Sequence, residues 1–416
     1  MAETQPEPKN SGPLSGLCVI ELGSTIAGPF CTRLMSDFGA DVIKVEQAEG
    51  DALRSMGRQC EGRSLYGASI LRGKRAVSIN LRTDEGRDLA RRLCEKADIV
   101  VENFRPGTLE KWGLGYETLS AVNPGLVMVR ISGFGQDGPY SDRGGYGVVC
   151  EAVSGLREIN GEPDRPPPRM ATSLTDYITG LYAAFGAVMA IFERTRSGRG
   201  QVVDAALYEG SFSFMEPHIP AFQQLGEIAR RDGHRLPGNT PNSLYETRDA
   251  RHIVIVAASN SVFARLAGAM GQPALAEDPC FVTALKRIEN EDACDAAIET
   301  WTRSLDLAQV EQALKEAKVP AARIYTVEDI FADPHFRHRD MLLEVEDPVL
   351  GPVTLAGIVP KLSATPGKVR WSGREIGADT VDVLQKELNL TGAEVEALAH
   401  SGVVAGPDLP AGGDKP

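Results

Sequence analysis

The first half of the chain alternates between two spacings of hydrophobic residues, one typical of strands and one typical of helices. The run 17–22 is short and apolar, the next apolar residues recur every three or four positions, and a second apolar run follows directly. The predicted strands are 17–22, 40–45, 76–80, 99–102 and 126–131, and the predicted helices are 27–38 and 83–97. This alternation predicts a mainly parallel sheet covered by helices, with functional loops at the carboxyl ends of the strands.

The second half of the chain has longer helical patterns. Apolar residues recur at helical spacing from 175 to 195, which predicts a long helix with Asp176 at its amino-terminal end. Pro237, Gly238 and Pro241 mark a linker before the strand-like run 252–257. We therefore expect an α/β protein with a large open-sheet, Rossmann-like domain over 14–224, a smaller α/β domain over 225–330, and a return to the large domain over 331–405.

Both ends of the chain lack a hydrophobic pattern, so residues 1–13 and 406–416 are predicted to be a disordered arm and tail. No signal for secretion precedes the first strand, and no segment reaches the roughly 20 apolar residues of a membrane helix. The 57 acidic and 44 basic residues give a formal net charge of −13, which disfavours nucleic acid or an anionic membrane as partner. Seven scattered cysteines predict reduced thiols and a cytoplasmic location.

The local sequence disfavours two familiar kinds of cofactor site. Residues 133–138 read GFGQDG and match the GxGxxG pattern, but Pro139 follows at once in a segment typical of a loop. A dinucleotide site needs a helix there, with its amino terminus at the pyrophosphate. The six histidines are dispersed and form no metal-ligand spacing with the cysteines. We therefore expect neither a nicotinamide nor a metal.

Three groups of polar residues carry candidate chemistry. Asn103 directly follows the predicted strand 99–102, where it could contact a ligand or satisfy its own turn. Asp176 at the start of the long helix could cap that helix or attack a thioester, and the residues alone leave both interpretations open. A locally basic group, suited to phosphate or carboxylate but also typical of a solvated surface, contains Arg54, Arg58, Arg63, Arg72, Lys74 and Arg75.

Several long segments, in the same order, resemble the class III coenzyme A transferase family, which includes formyl-CoA transferase, carnitine CoA-transferases and α-methylacyl-CoA racemases. The resemblance runs from residue 14 to about 404, and it is carried by LSGLCVIELGSTIAGPF, DFGADVIKVE, RGKRAVSINL, DIVVENFRPGTLEKWGLGYE, ISGFGQDGPY, TDYITGLYAAFGAVMAI and SGRGQVVDAALYE. It implies an enzyme whose partners are an acyl-CoA and a small carboxylic acid, with no cofactor beyond coenzyme A as substrate. It also implies an interlocked homodimer with the active site near the subunit interface.

The resemblance assigns roles to individual residues. The family's catalytic aspartate matches Asp176, which would form an acyl anhydride and then an aspartyl-CoA thioester. The residues that match the coenzyme A site are Ser24, Thr25, Ile26, Lys74, Arg75, Ile79, Arg82, Asn103, Phe104, Lys111 and Tyr146.

Departures from the family pattern bear on the substrate. Formyl-CoA transferases carry a run of glycines where residues 257–261 of this chain read AASNS, and Leu71 and Gly147 replace a common asparagine and a common acidic residue. Members that resemble this chain more closely use succinyl-CoA and small dicarboxylic acids, so we expect substrates of that class. The candidates for pairing with the second carboxylate are Arg54, Arg58 and Arg143.

Two other functions stay open on the sequence. A 2-methylacyl-CoA racemase shares the fold and the aspartate, but it uses a histidine in a GHD element where this chain has Gly145-Tyr146-Gly147. The pKa of tyrosine, about 10, makes it a poor base near neutrality. A non-catalytic CoA-binding protein is the other alternative, and the presence of Asp176 argues against it.

Overall fold

The structure is a computed structural model that describes residues 12–410. The strands of this part are β1 (Cys18–Glu21), β2 (Asp41–Glu46), β3 (Gln59–Cys60), β4 (Arg63–Ser64), β5 (Arg75–Ile79), β6 (Ile99–Glu102), β7 (Val127–Ser132), β8 (Val202–Ala206), β9 (Asn242–Glu246), β10 (His252–Val256), β11 (Ala321–Arg323), β12 (Leu342–Asp347), β13 (Gly351–Ala356) and β14 (Val404–Ala405). Its helices are α1 (Ala27–Asp37), α2 (Leu65–Ile70), α3 (Asp84–Cys94), α4 (Thr108–Lys111), α5 (Tyr116–Val122), α6 (Gly147–Val153), α7 (Leu174–Ser197), α8 (Leu207–Phe212), α9 (His218–Leu225), α10 (Asn260–Ala269), α11 (Ala284–Glu289), α12 (Glu291–Thr302), α13 (Leu307–Glu316), α14 (Val327–Ala332), α15 (Pro334–His338), α16 (Thr380–Leu388) and α17 (Gly392–His400).

The described residues form two compact units. The large unit contains residues 12–156, 169–219 and 335–410, and the small unit contains residues 157–168 and 220–334. The small unit therefore includes the predicted small domain, 225–330, together with a short earlier segment. Of the predicted disordered ends, residues 1–11 and 411–416 lie outside the described residues, whereas Leu409 packs against the core of the large unit.

The large unit is built on a seven-stranded sheet in the order β14-β5-β2-β1-β6-β7-β8. Its strands pair in parallel except for β14, which runs antiparallel to β5. The mainly parallel sheet that the alternating pattern predicted is confirmed. The strand 99–102 has the predicted bounds, and the four other predicted strands begin and end within one residue of the observed ones.

Helices cover both faces of this sheet, because successive residues of a strand point to opposite faces. Val19 and Val42 belong to the apolar cluster shared with α1 and α7. Ile20 and Ile43, one residue further along each strand, belong to the cluster shared with α3, α16 and α17. Burial on both faces explains why these strands read as continuous apolar runs rather than as alternating ones.

The small unit contains a three-stranded antiparallel sheet in the order β11-β10-β9. Its apolar core joins Ile253 and Ile255 of β10 to residues of α10, α12 and α13. The early segment 157–168 is connected to the rest of this unit by a bridge between Gly161 and Gly233.

Helix α7 is apolar on two sides. Its alanines, including Ala183, Ala187 and Ala190, are buried in the cluster that contains α1, whereas Phe185 and Phe192 on the other side are exposed. By length and composition this helix could cross a membrane, with a mean hydropathy of 1.4 over 18 residues, although the sequence pattern had suggested no such segment. Because its alanine side packs into the large unit, composition alone is weak support for a membrane span.

Helices α7 and α1 contact each other at the backbone. A Cβ atom built on Gly180 would lie 2.7 Å from the carbonyl oxygen of Ala27, which is closer than real Cβ atoms approach. A glycine is therefore required where the two helices cross. Since Ala27 is the first residue of α1, this contact fixes the beginning of α1 against α7.

Candidate active site

Three neighbouring strands, β1, β6 and β7, end at one edge of the large sheet, and the chain that follows each of them lines the same cavity. This first cavity has a volume of about 260 Å³ and includes the side chain of Asp176. The carboxyl edge of a parallel sheet is the usual position of a ligand site. The lining residues from the three connections are Ser24, Thr25, Ile26, Ala27, Asn103, Phe104, Arg105, Pro106, Ser132, Gly133, Ser141, Arg143, Gly144, Gly145 and Tyr146.

Asn103 connects the loop after β6 to the loop after β1. Its Oδ1 accepts a hydrogen bond from the backbone N–H of Ser24 at 2.8 Å, and its Nδ2 donates to the carbonyl oxygen of Ser24 at 2.7 Å. One side chain thus satisfies both backbone groups of a residue that lines the first cavity. The amide of Asn103 holds the loop, and its contact with coenzyme A stays a prediction.

A buried ion pair supports the next residue of that loop. Thr25 has a φ of 71°, a left-handed conformation that is uncommon for a residue other than glycine. Its backbone N–H donates to Asp51 Oδ1 at 3.0 Å, and Asp51 Oδ2 lies 2.7 Å from Lys44 Nζ. Lys44 also donates to the carbonyl oxygen of Gly23 at 2.8 Å. These contacts hold an unfavourable backbone conformation at the wall of the cavity.

Asp176 is the third residue of α7, and the helix is preceded by Ser173, whose side chain makes no capping hydrogen bond. The sequence left open whether Asp176 caps this helix, and the structure shows that it is not the N-cap residue. Burial raises the pKa of Asp176 to about 6, against a hydrogen bond from its own backbone N–H that lowers it. Such a carboxylate is ionised at neutral pH yet poorly solvated, which suits a nucleophile.

A second cavity, of about 360 Å³, meets the first at Asp176. The two cavities share Thr25, Ile26, Tyr146 and Asp176. The residues that line only the second cavity are Ala52, Met56, Gly147, Val148, Glu151, Arg169, Thr172, Ser173, Leu174 and Thr175. A group bound in either cavity can therefore approach the same carboxylate.

Two other acidic groups near Asp176 are held in their neutral form. Burial raises the pKa of the Cys150 thiol to about 11, and the charge of Asp176 adds to the effect. Burial, together with a 2.8 Å hydrogen bond between the hydroxyls of Tyr66 and Tyr177, raises the pKa of Tyr66 well above its ordinary value. At neutral pH neither group competes with Asp176 as an anionic nucleophile.

The structure brings several of the predicted site residues together around the first cavity. These are Asp176, Ser24, Thr25, Ile26, Asn103, Phe104, Tyr146 and Arg143. They come from four separate stretches of the chain, and the common edge of the sheet explains why they meet.

Two residues predicted to contact coenzyme A, Lys74 and Arg75, are engaged in ion pairs, and their contact with coenzyme A stays a prediction. The Lys74 ammonium is buried and donates to Glu21 Oε2 and to the carbonyl oxygen of Pro29, both at 2.7 Å. Burial lowers the pKa of Lys74 to about 8, against the attraction of Glu21. Arg75 donates to Asp41 at 3.1 Å. Neither residue lines the first or the second cavity.

Three further predicted contacts lie away from Asp176. Ile79 is completely buried in the core beside α3, and Arg82 and Lys111 are exposed residues that line neither cavity. Their role in coenzyme A binding stays a prediction.

The arginines predicted to bind a substrate carboxylate differ in their surroundings. Arg54 donates to both oxygens of Glu46, at 2.6 and 2.7 Å, and lines neither cavity. Arg58 is exposed and also lies outside both. Arg143 lines the first cavity, and its guanidinium carbon lies 3.5 Å from the centre of the Tyr140 ring.

Sequence reasoning missed three charged residues of the cavities. Arg105 lines the first cavity, and its position two residues after Asn103 in the same strand-end loop was a usable signal. Glu151 and Arg169 line the second cavity. Arg169 stands in the segment PPPRMATS before α7, which carries no pattern that would mark it as part of a site.

Comparison with known proteins shows which family the chain resembles over most of its length. The chain matches the sequence model of CoA-transferase family III over residues 14–380. It is 46% identical to the succinyl-CoA–D-citramalate CoA-transferase of Chloroflexus aurantiacus, over 94% of this chain and 98% of that protein. It is 38% identical to the beta subunit of the succinyl-CoA–L-malate CoA-transferase of the same organism, over 94% and 98%. A solved CAIB/BAIF family protein from Brucella suis is 34% identical, with a TM-score of 0.80 over 91% of this chain and 100% of that one.

Proposed function

The chain belongs to CoA-transferase family III, and on this premise we propose that it moves coenzyme A from succinyl-CoA to a small dicarboxylic acid through Asp176. The names of the two Chloroflexus relatives support succinyl-CoA as the donor and an acid of the citramalate or malate type as the acceptor. The observation that carries the proposal is the position of Asp176, a poorly solvated carboxylate at the junction of two cavities.

The first half of the proposed reaction charges Asp176 with coenzyme A. The carboxylate attacks the carbonyl carbon of succinyl-CoA, the carbon–sulfur bond breaks, and coenzyme A leaves as the thiolate. This leaves a mixed anhydride between Asp176 and the succinyl group. The thiolate then attacks the Asp176 carbonyl carbon of the anhydride, so succinate leaves and Asp176 carries coenzyme A as a thioester.

The second half of the reaction runs through the same steps in reverse order, with the acceptor acid in place of succinate. The carboxylate of the acceptor attacks the aspartyl thioester, which releases the thiolate and forms a second anhydride. The thiolate attacks the acceptor's carbonyl carbon in this anhydride, so the new thioester leaves and the Asp176 carboxylate is restored. One thioester is broken for each one made, and thus the exchange is nearly balanced in free energy.

The two cavities fit the needs of this cycle. An anhydride must be kept from water, since hydrolysis would release the acyl group without transfer. The burial that raises the pKa of Asp176 would also limit the access of water to the anhydride. Two cavities that meet at the carboxylate let the thiol and the acid approach it from different sides.

Racemisation receives less support from the same residues. Among the described residues that line the two cavities there is no histidine. Tyr146 is at the position where the racemases of this family carry their base, and its side chain is a weak base near neutrality. The acid–base pair that deprotonation beside the thioester needs is therefore incomplete.

We also propose that two copies of the chain associate through the exposed side of α7. Leu181, Phe185, Val188 and Phe192 recur at helical spacing and are between 42% and 66% exposed. A contiguous apolar surface of this kind marks an interaction site, and the family resemblance supports a second copy as the partner. Light scattering should give a dimer for the protein and a monomer for Phe185→Glu, and a monomeric wild type would refute the proposal.

A cytoplasmic location is consistent with the cysteines. The seven cysteines all lie within residues 12–410, and no disulfide joins them there. We propose that the protein works in a reducing compartment.

The proposed function is tested by product formation and by trapping. The purified protein is incubated with succinyl-CoA and D-citramalate or L-malate, and new thioesters are identified by mass. Hydroxylamine added during turnover should convert Asp176 to its hydroxamate only when succinyl-CoA is present. Asp176→Ala should abolish transfer, and Asp164→Ala, at an exposed aspartate outside both cavities, should not. Transfer at wild-type speed by Asp176→Ala would refute the mechanism.

A further inference from the structure

The second cavity differs from the first in the number of its positive charges. The first cavity has two guanidinium groups, from Arg105 and Arg143. Among the residues that line the second, Arg169 is the one cation, and Glu151 and Asp176 are the carboxylates. The rest of its lining is neutral, with hydroxyls from Thr172 and Ser173. A site with one guanidinium suits a short acid with a second carboxylate better than it suits a polyphosphate.

The guanidinium of Arg169 is available to a ligand. Its Nε donates to the carbonyl oxygen of Met170 at 3.3 Å. Within residues 12–410, its two terminal NH₂ groups make no hydrogen bond, and no carboxylate lies within ion-pair distance. An arginine that is exposed, lines a cavity and lacks an internal anion can pair with an external one.

The arginines suggested by the sequence are less suited to this task. Arg54 is neutralised by two hydrogen bonds to Glu46 and lies outside the cavities. Arg143 lines the first cavity and stacks on Tyr140. Arg169 is the arginine that lines the second cavity together with the reacting carboxylate.

The chain itself links Arg169 to Asp176. Residues 169–173 lead directly into α7, so the guanidinium and the nucleophile belong to one continuous segment of the large unit. Thr172, Ser173, Leu174 and Thr175 between them also line the second cavity. The two ends of a short acid could therefore contact two residues of one continuous wall.

The positive charge of Arg169 should favour the binding of a dicarboxylic acid over that of a monocarboxylic acid. Such an acid brings one carboxylate to Asp176 and a second into the cavity that Arg169 lines. The second carboxylate loses part of its hydration there, which costs free energy unless a cation pairs with it. A guanidinium can form a bidentate pair with it, whereas a monocarboxylic acid has no second charge to pair.

We propose that Arg169 binds the distal carboxylate of the substrate, the one that is not joined to coenzyme A, and thereby selects dicarboxylic over monocarboxylic acids. This inference rests on the proposed function, because it concerns the acid that Asp176 activates.

The test uses two exchange reactions that differ only in the distal group. Succinyl-CoA is mixed with ¹³C-labelled succinate, and butyryl-CoA with ¹³C-labelled butyrate, and labelled thioester is followed by mass. Both exchanges have an equilibrium constant of one, so the rates compare binding and catalysis alone. Arg169→Gln should lower kcat/KM for the succinyl pair by about 10- to 100-fold, mainly through KM, and change the butyryl pair by less than about threefold. Arg169→Lys should recover part of the loss because it keeps the charge.

Two further variants serve as controls. Arg143→Gln, in the first cavity, should affect both pairs by the same factor. Arg58→Gln, at an exposed position outside both cavities, should affect neither. An undiminished preference of Arg169→Gln for the succinyl pair would overturn the inference, and so would an equal loss for both pairs. If the wild type exchanges no label into succinyl-CoA, the proposed function itself fails, so the two failures are distinguishable.

Discussion

Asp176 Oδ2 occupies the space that a side chain at Gly147 would need, because a Cβ atom built on Gly147 would overlap that oxygen. Gly147 is the first residue of α6 and Asp176 the third residue of α7. The sequence marked Gly147 as a departure that changes contacts to the acid substrate. The structure relates it to the nucleophile directly, since glycine leaves room for the carboxylate between the two helices.

Gly147→Ala is therefore expected to displace the carboxylate of Asp176. Misplacement of a reacting group by about 1 Å costs on the order of 100-fold in rate, so transfer from succinyl-CoA should fall by at least that factor. The free energy of unfolding should change by less than about 1 kcal/mol, because a side-chain end can rotate away and alanine is a good helix former. Steady-state kinetics and urea unfolding measure the two effects. Gly268→Ala in α10, where a Cβ meets open space, is the matched control that should keep full activity, and an equally active Gly147→Ala would contradict the prediction.

The rate of Asp176 acylation should depend on pH with a midpoint near 6. Burial raises the pKa of Asp176 to about 6, and only the ionised carboxylate attacks the thioester. Below that pH, kcat/KM for succinyl-CoA should fall about tenfold per unit, and above pH 7 it should be constant. A profile that stays flat down to pH 4.5 would mean that the carboxylate is better solvated than its burial indicates.

Asp176→Asn should make the protein inactive and, at neutral to alkaline pH, more stable. Since the pKa of Asp176 is raised from 3.8 to about 6 on folding, the folded state binds the proton more tightly. The stabilisation from the protonated form is full below pH 3.8 and is lost as the pH rises through about 6. A shift of that size corresponds to about 3 kcal/mol for a group shielded from water. Because Asp176 is only partly buried, solvent screening reduces the penalty at pH 8 to roughly 1–2 kcal/mol, which asparagine removes. Thermal unfolding should give a higher Tm for Asp176→Asn at pH 8, a difference that narrows toward pH 4, and an unchanged or lower Tm at pH 8 would be evidence against it.

Asp51→Ala should destabilise the protein and loosen the loop that carries Thr25. It leaves the buried Lys44 without the partner at 2.7 Å and the Thr25 N–H without its acceptor. A buried charge left without any partner costs about 3–5 kcal/mol. Because Lys44 keeps Glu21 Oε1 at 2.8 Å, the loss of stability should be smaller than this, and the KM for succinyl-CoA should rise as well. Denaturant unfolding and kinetics test both. In Asp88→Ala the exposed pair with Arg91 is lost, and the change should stay below about 0.5 kcal/mol. Similar losses for the two variants would show that the buried pair has no special role.

The sequence was a good guide to the large sheet and a poorer guide to the small unit. Strands buried on both faces read as unbroken apolar runs, and β6 (Ile99–Glu102) could be delimited to the residue for that reason. The segment 157–168 has no apolar pattern of its own. It is connected to the small unit by polar contacts instead, namely a bridge between Gly161 and Gly233 and hydrogen bonds from Arg231 to the carbonyl oxygens of Glu158 and Glu162. Such long-range contacts leave no local signal.

Site residues, too, could be predicted from the sequence where a local pattern marked them, but not where their position depends on long-range contacts. Asn103 and Thr25 follow strand ends, so the fold class alone indicates that they face a common edge. Lys74 is different, because it is 53 positions away from the Glu21 that binds its ammonium. The sequence therefore gives no sign that Lys74 will be buried in an ion pair, because its partner is far away along the chain.

The crossing of α1 and α7 at Gly180 has a consequence for how enzymes of this type can change their substrates. The helices touch backbone to backbone one turn after Asp176, so no side chain separates α7 from the first residue of α1 at this point. Substitutions of side chains at the crossing therefore have little scope to change the separation of the two helices. We therefore expect new acid specificities to arise in the connections around the crossing, such as the segment leading into α7, rather than at the crossing itself.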